Sequence, residues 1–158
     1  GLRAGYPAQR AWFDRLTTNG LLVIQHMKQT LSLFSLVVDD YDTAIAHYTG
    51  ALGFELLEDT DRGGGKRWVR VAPRGSSETG LLLAKASDAA QQARIGDQHG
   101  GRVGFFLQTD DFWRDHAAMT ANGVEFVETP REEPYATVAV FRDLYGNRWD
   151  LLQPKDMA

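Results

Sequence analysis

"VVDDYDTAIAHYTGALGFELLED", Val37–Asp59, decides the fold. An extended apolar pair gives way to two aspartates, then to apolar residues at helical spacing. Asp40 suits an N-cap, where a side-chain oxygen accepts from free backbone N–H groups. Tyr41, Ile45, Tyr48 and Leu52 fall on one helical face. Gly53 suits the left-handed position that ends a helix. The passage therefore predicts strand, capped helix, stop and strand.

The same order returns downstream. "QTDDFWRDHAAMTANG", Gln108–Gly123, echoes the strand end, the acidic cap and the helix. "GFELLED" at Gly53–Asp59 matches "GVEFVET" at Gly123–Thr129 with an offset of 70 residues. "WVRV" at Trp68–Val71 matches "TVAV" at Thr137–Val140 with an offset of 69. Agreeing offsets mark one unit used twice. Each unit opens on a strand, Leu31–Val38 or Arg102–Thr109, and its helix is capped by Asp40, or by Asp110 or Asp111. Three strands follow, at 54–60, 66–72 and 79–85, then at 124–129, 135–142 and 147–153. Tyr145-Gly146-Asn147 marks a tight turn. The expected fold is α+β, built from two βαβββ modules.

The expected boundaries are an N-terminal extension at 1–29, a first module at 30–90, a linker at 91–101, a second module at 102–154 and a tail at 155–158. Modules and linker make a single domain, 30–154. The extension has Trp12, Phe13 and Leu16 on one side of a short helix and lacks the apolar run of a signal peptide. It is either an appendage, with native translation starting at Met27, or an arm that packs on a partner subunit.

Composition narrows the function. A net charge of −4 and a pI near 5.5 argue against nucleic-acid binding, which favours a basic face. With no cysteine, thiolate nucleophiles and cysteine-type zinc sites are excluded. The longest apolar runs, such as Leu21–Ile24, are too short to span a bilayer. A cytoplasmic protein is expected.

Strand parity assigns faces. Phe34, Leu36 and Val38, with Val103, Phe105 and Leu107, should pack under the helices. Leu33, Ser35 and Val37, with Gly104, Phe106 and Gln108, face the other way. That second face mixes small, polar and aromatic residues, which suits a ligand cavity.

The doubled unit, "VVDDYDTAIAHYTGALGFELLED" and "VFRDLYGNRWDLL", resembles the vicinal oxygen chelate superfamily of glyoxalases, bleomycin-resistance proteins and extradiol dioxygenases. The likeness covers roughly Leu31–Gln153. It implies a glyoxalase-like fold, an incomplete, cupped eight-stranded barrel, and it implies a homodimer. Metal enzymes of the superfamily take His or Glu ligands from four inward strand positions. Here those positions carry Leu33, a leucine within Leu81–Leu83 (best matched by Leu82), Gly104 and Asp150. Only Asp150 offers a ligand atom, so no metal and no other cofactor is expected. The alternative is a divalent ion in a rebuilt site using His99, Asp150 and a loop carboxylate such as Glu78, Glu132 or Glu133. His47 and His116 lie on helices and His26 precedes the domain.

Other signals are weaker. Gly63-Gly64-Gly65 joins two strands and lacks the P-loop spacing. Ser35 has no adjacent base. Trp68, Trp149, Phe106 and Phe141 read as core or cavity wall, and an aromatic wall can stack a flat ligand. Asp150, between Trp149 and Leu151, needs a partner if half-buried. Arg70, whose mate in the repeat is read as Ala139, and Arg148 are candidate cations for it. Ser35, Arg70, Phe106, Gln108, Arg148 and Asp150 are therefore the ligand-cavity candidates. The expected partner is a small organic molecule, with no nucleic acid and no membrane. The expected function is metal-free binding and sequestration. The alternatives are a metal-dependent lyase, isomerase or dioxygenase, and a structural domain with a vestigial cavity.

Overall fold

A first strand, β1 (Leu33–Val38), runs into Asp40, whose carboxylate accepts from the Thr43 backbone N–H and caps α1 (Tyr41–Ala46). In this computed structural model, residues 29–155 are described. The readings on residues 1–28, including Trp12, Phe13, His26 and Met27, lie outside the described residues. Residues 32 onward form one unit.

Beyond α1 the chain widens into a π-helical turn, His47–Ala51, where the Thr49 hydroxyl takes the Ile45 carbonyl at 2.7 Å. Such back-bonding competes with the helical ladder. Gly53 ends the segment at φ +71°, a conformation disfavoured for any residue with a Cβ. Strands β2 (Glu55–Gly63), β3 (Lys66–Ala72) and β4 (Gly80–Lys85) follow. β4 lies parallel to β1, and the sheet order is β1-β4-β3-β2. A short helix, α2 (Ala89–Gln92), then leads into the linker.

The second module repeats the plan. β5 (Val103–Gln108) precedes α3 (Phe112–Ala121), whose cap is Asp111 and not Asp110. β6 (Glu125–Phe126), β8 (Ala136–Arg142) and β9 (Arg148–Pro154) complete a sheet ordered β5-β9-β8-β6, and β7 (Arg131–Glu132) pairs with β8 beyond β6. The strand expected at 124–129 is thus cut short. Pro130 has no N–H for a ladder, and the Glu128 carboxylate accepts the Val140 N–H at 3.1 Å instead of a backbone carbonyl.

The doubled βαβββ architecture stands, as two sheets without a closed barrel. One core joins them. Leu36, Val38, Val69, Val71 and Leu83 of the first sheet share a buried cluster with Ala139, Phe141, Trp149 and Leu151 of the second, and with Tyr48 and Phe112 from the helical segments. The alternate rows, including Ser35, Arg70 and Leu82 on one sheet and Phe106, Val140 and Asp150 on the other, are exposed or half-buried. Among the described residues, no helix is long and apolar enough to cross a membrane.

Candidate functional site

β1 and β5 are edge strands of different sheets, and residues of both line one cavity. The β1 edge is not left bare. Gln98 reaches it from the linker, accepting the Val37 N–H at 3.0 Å and donating to the Ser35 carbonyl at 2.7 Å. One amide side chain thereby supplies the pair of bonds that a neighbouring strand would make.

Behind this clamp lies a cavity of about 380 Å³. Phe34, Phe54, Phe105, Phe106 and Trp149 form its aromatic walls, with Ser35, Gln98 and His99 among its polar positions. Phe105 stacks on Trp149 at 4.4 Å between ring centroids and 20° between planes. His99 meets Phe105 edge-on at 4.9 Å. The residue at 104 is glycine for a steric reason: a Cβ there would lie 2.3 Å from His99 Nδ1. The His99 ring thus fills the space that a side chain at 104 would claim. Volume, aromatic lining and sparse polar groups match a small-molecule site.

The six candidates do not converge. Ser35 and Phe106 line the cavity, and Phe106 is 66% exposed. Gln108 lines a separate depression beside Arg114 and Asp115. Arg148 is exposed and lines a crevice against Gly96 and Asn147. Arg70 and Asp150 stand on different sheets, and neither lines the aromatic cavity. The expected pairing of Asp150 with Arg70 or Arg148 is not formed within the chain. Arg70 donates to Glu58 at 3.3 Å, because β2 puts Glu58 directly beside it. The strand register also corrects the repeat: Arg70 faces Leu82 as Val140 faces Asp150, so Val140 is the mate of Arg70 and not Ala139. Asp150 Oδ1 is buried without a hydrogen-bond partner. Desolvation pushes its carboxyl pKa up, Arg131 opposes the shift, and Glu128 adds to it.

The four superfamily ligand positions do not fit a metal. Leu33, Leu82 and Gly104 carry no donor atom, and His99 reaches the gap at 104 without a set of carboxylates around it. Among the described residues, no three His, Asp or Glu side chains gather as a ligand set. His47 Nε2 instead accepts the Leu144 N–H at 3.0 Å, and His116 packs on Phe126 with centroids 4.0 Å apart.

The family assignment rests on this doubled fold together with the sequence match. A family model described as Glyoxalase/Bleomycin resistance protein/Dioxygenase superfamily matches residues 23–151. The chain belongs to that superfamily. An uncharacterized protein of Shewanella frigidimarina is 55% identical over 131 residues, spanning 82% of this chain and 97% of the relative. The crystal structure of UcmS2 superposes with a TM-score of 0.70 at 30% identity, covering 80% of this chain and 98% of that one. TnmS3, described as an antibiotic binding protein from Streptomyces sp. CB03234, gives 0.65 at 32% identity, covering 82% and 98%. Superfamily membership implies the doubled fold but not one chemistry.

Sequence reasoning missed Gln98 and Asp143, and weighed His99 only as a ligand in a rebuilt metal site. Gln98 and His99 sit in a Gly-rich linker that reads as solvated loop. Asp143 reads as part of a turn, yet it is buried and gathers five hydrogen bonds. Its Oδ2 accepts from Tyr48 Oη at 2.6 Å, Asn147 Nδ2 at 2.9 Å and Trp149 Nε1 at 3.2 Å, and its Oδ1 from the backbone N–H groups of Tyr145 and Asn147 at 3.0 Å each. The spacing Asp-x-x-Gly-Asn was the available signal.

Proposed function

We propose that this protein binds a small, flat, aromatic organic molecule in the cavity between β1 and β5 and sequesters it without a metal. The observation that carries this reading is the aromatic wall, with Phe105 already stacked on Trp149. Offset stacking of rings is worth roughly 0.5–1.5 kcal/mol beyond area burial. The likeness to TnmS3, an antibiotic binding protein, supports the ligand class. We further propose that the protein works as a homodimer, since apolar side chains outside the cavity, such as Leu57, Val127 and Tyr135, stand at its surface.

The test is a titration with a panel of planar polycyclic antibiotics, followed by quenching of tryptophan fluorescence. Saturable quenching by at least one compound is expected. Phe106→Ala should weaken that binding about tenfold, close to 1.4 kcal/mol, while leaving the melting temperature unchanged because Phe106 is exposed. A panel in which no compound quenches saturably would overturn the reading.

A further inference from the structure

The aromatic cavity abuts a broader groove of about 800 Å³, and Phe54, Pro73 and Leu107 line both. β5 runs from one space into the other. Gly104, Phe105 and Phe106 line the cavity, Leu107 lines both, and Gln108, Thr109 and Asp110 line the groove. The first module follows the same course, with Arg74 lining the groove directly after Pro73. At about 3.3 Å per strand residue, Phe105 and Gln108 are roughly 10 Å apart. A single ligand of ordinary size can therefore extend from the rings of the cavity into the groove.

The two spaces differ in chemistry. Aromatic rings wall the cavity, whereas Arg74, Gln108, Thr109, Asp110, Arg114 and Asp115 bring guanidinium, amide, hydroxyl and carboxylate groups to the groove. The charges of that lining balance, two cations against two anions. They are also engaged already. Arg114 holds Asp110 and Asp115 at 2.8 Å each, and Arg74 stands 3.9 Å from Glu55. A charged arm of a ligand would meet repulsion as well as attraction, and would have to displace an existing ion pair. A neutral arm bearing hydroxyls meets neither cost. Each hydroxyl supplies one donor and two acceptor lone pairs, and the Gln108 amide can answer both roles. Paired carboxylates and guanidiniums keep spare lone pairs and N–H groups for the same hydroxyls.

Resting on the cavity reading above, we infer that the ligand is a glycoside, with its aromatic aglycone in the cavity and a neutral sugar in the groove against Gln108 and Arg74. Phe54, Pro73 and Leu107 form the apolar sill that the glycosidic bond crosses. Gln108 lies outside the aromatic cavity because it serves the second half of the ligand. The aromatic walls then supply most of the affinity, and the groove selects the glycosylated form.

Calorimetric titration of matched ligands tests this. The set is a series of planar hydroxyanthraquinones, their O-glucosides, and their O-glucuronides as carriers of a charged arm. At least one glucoside should bind about tenfold more tightly than its aglycone, as one or two net hydrogen bonds would give. Its glucuronide should gain nothing further. Arg74→Ala combined with Gln108→Ala should return the glucoside to the affinity of the aglycone. The aglycone itself should stay within about twofold of wild type, since both residues are exposed and neither lines the cavity. Should the double variant fail to fold, Gln108→Ala alone should still weaken the glucoside and spare the aglycone. Aglycones that bind while no glucoside gains would overturn this inference and leave the cavity reading standing. So would a gain that survives the substitutions, or a glucuronide that binds more tightly than the glucoside. A set in which neither aglycones nor glucosides bind would overturn both readings.

Discussion

Asp143 adds a buried polar link between the modules. It is 6% exposed, and its most distant donor in sequence, Tyr48, comes from the first module. Burial and the neighbouring carboxylate push the Tyr48 hydroxyl well above its usual pKa, so it remains a donor. Asp143→Asn replaces an acceptor by an amide that faces several donors, and should cost about 3 kcal/mol. Urea denaturation measures this, and a loss below about 1 kcal/mol would show that the cluster is dispensable. His47 makes the neighbouring link through Leu144. Burial lowers its pKa below the usual 6.5, with Asp143 opposing, and the bond to Leu144 uses the unprotonated Nε2. A histidine pKa depressed by folding means that the neutral form is favoured in the native state. Its stabilising contribution is complete above 6.5 and is lost as pH falls from there toward the lower folded value. Wild type should therefore lose stability on acidification below about pH 6.5. His47→Gln should lose less over that interval, and parallel curves for the two proteins would refute the assignment.

At the scale of elements, the informative piece is the edge of β1. Unpaired strand edges invite association, and proteins blunt them in various ways. Here Gln98 does so from a loop 61 residues away from Val37. Gln98→Ala removes both bonds and exposes the Val37 N–H and the Ser35 carbonyl. A loss of about 1–2 kcal/mol is expected, together with faster amide exchange at Val37. Unchanged exchange at Val37 would mean that the clamp does not persist in solution. The elements themselves were largely legible in the sequence. Asp40, Gly53 and Gly123 mark helix ends through local chemistry, and the structure puts them there. The break after β6 was less legible. It depends on Glu128 reaching Val140, a contact that only the folded hairpin brings about.

For the whole molecule, the absence of donors at Leu33, Leu82 and Gly104 has a direct consequence. Zn²⁺, Ni²⁺, Mn²⁺ or Fe²⁺ should not raise the melting temperature, since an ion stabilises only what it binds in the native state. The protein should also fail to isomerise the hemithioacetal of methylglyoxal and glutathione. One tightly held ion per chain, lost in Asp150→Asn, would reverse the metal-free reading.

Phe34, Phe105 and Leu107, which parity puts under the helices, also line the cavity; the sequence by itself determined the two modules, the order of their strands and helices, and the alternation of side chains along each strand. All of these follow from short-range periodicity and from caps read within a few residues. It also shows that Leu33, Leu82 and Gly104, the positions that the resemblance matches to superfamily ligands, carry no donor side chain. Only the tertiary structure decided which faces meet. The buried rows of both sheets close on one core, which leaves Arg70 and Asp150 on separate open surfaces instead of opposite each other in one cup. Only the folded chain brings Gln98 to the β1 edge, His99 over Gly104, and Tyr48 to Asp143. Those contacts join residues far apart in sequence, and no local pattern encodes them. They arise because the buried polar groups and strand edges left by packing must still find hydrogen-bond partners.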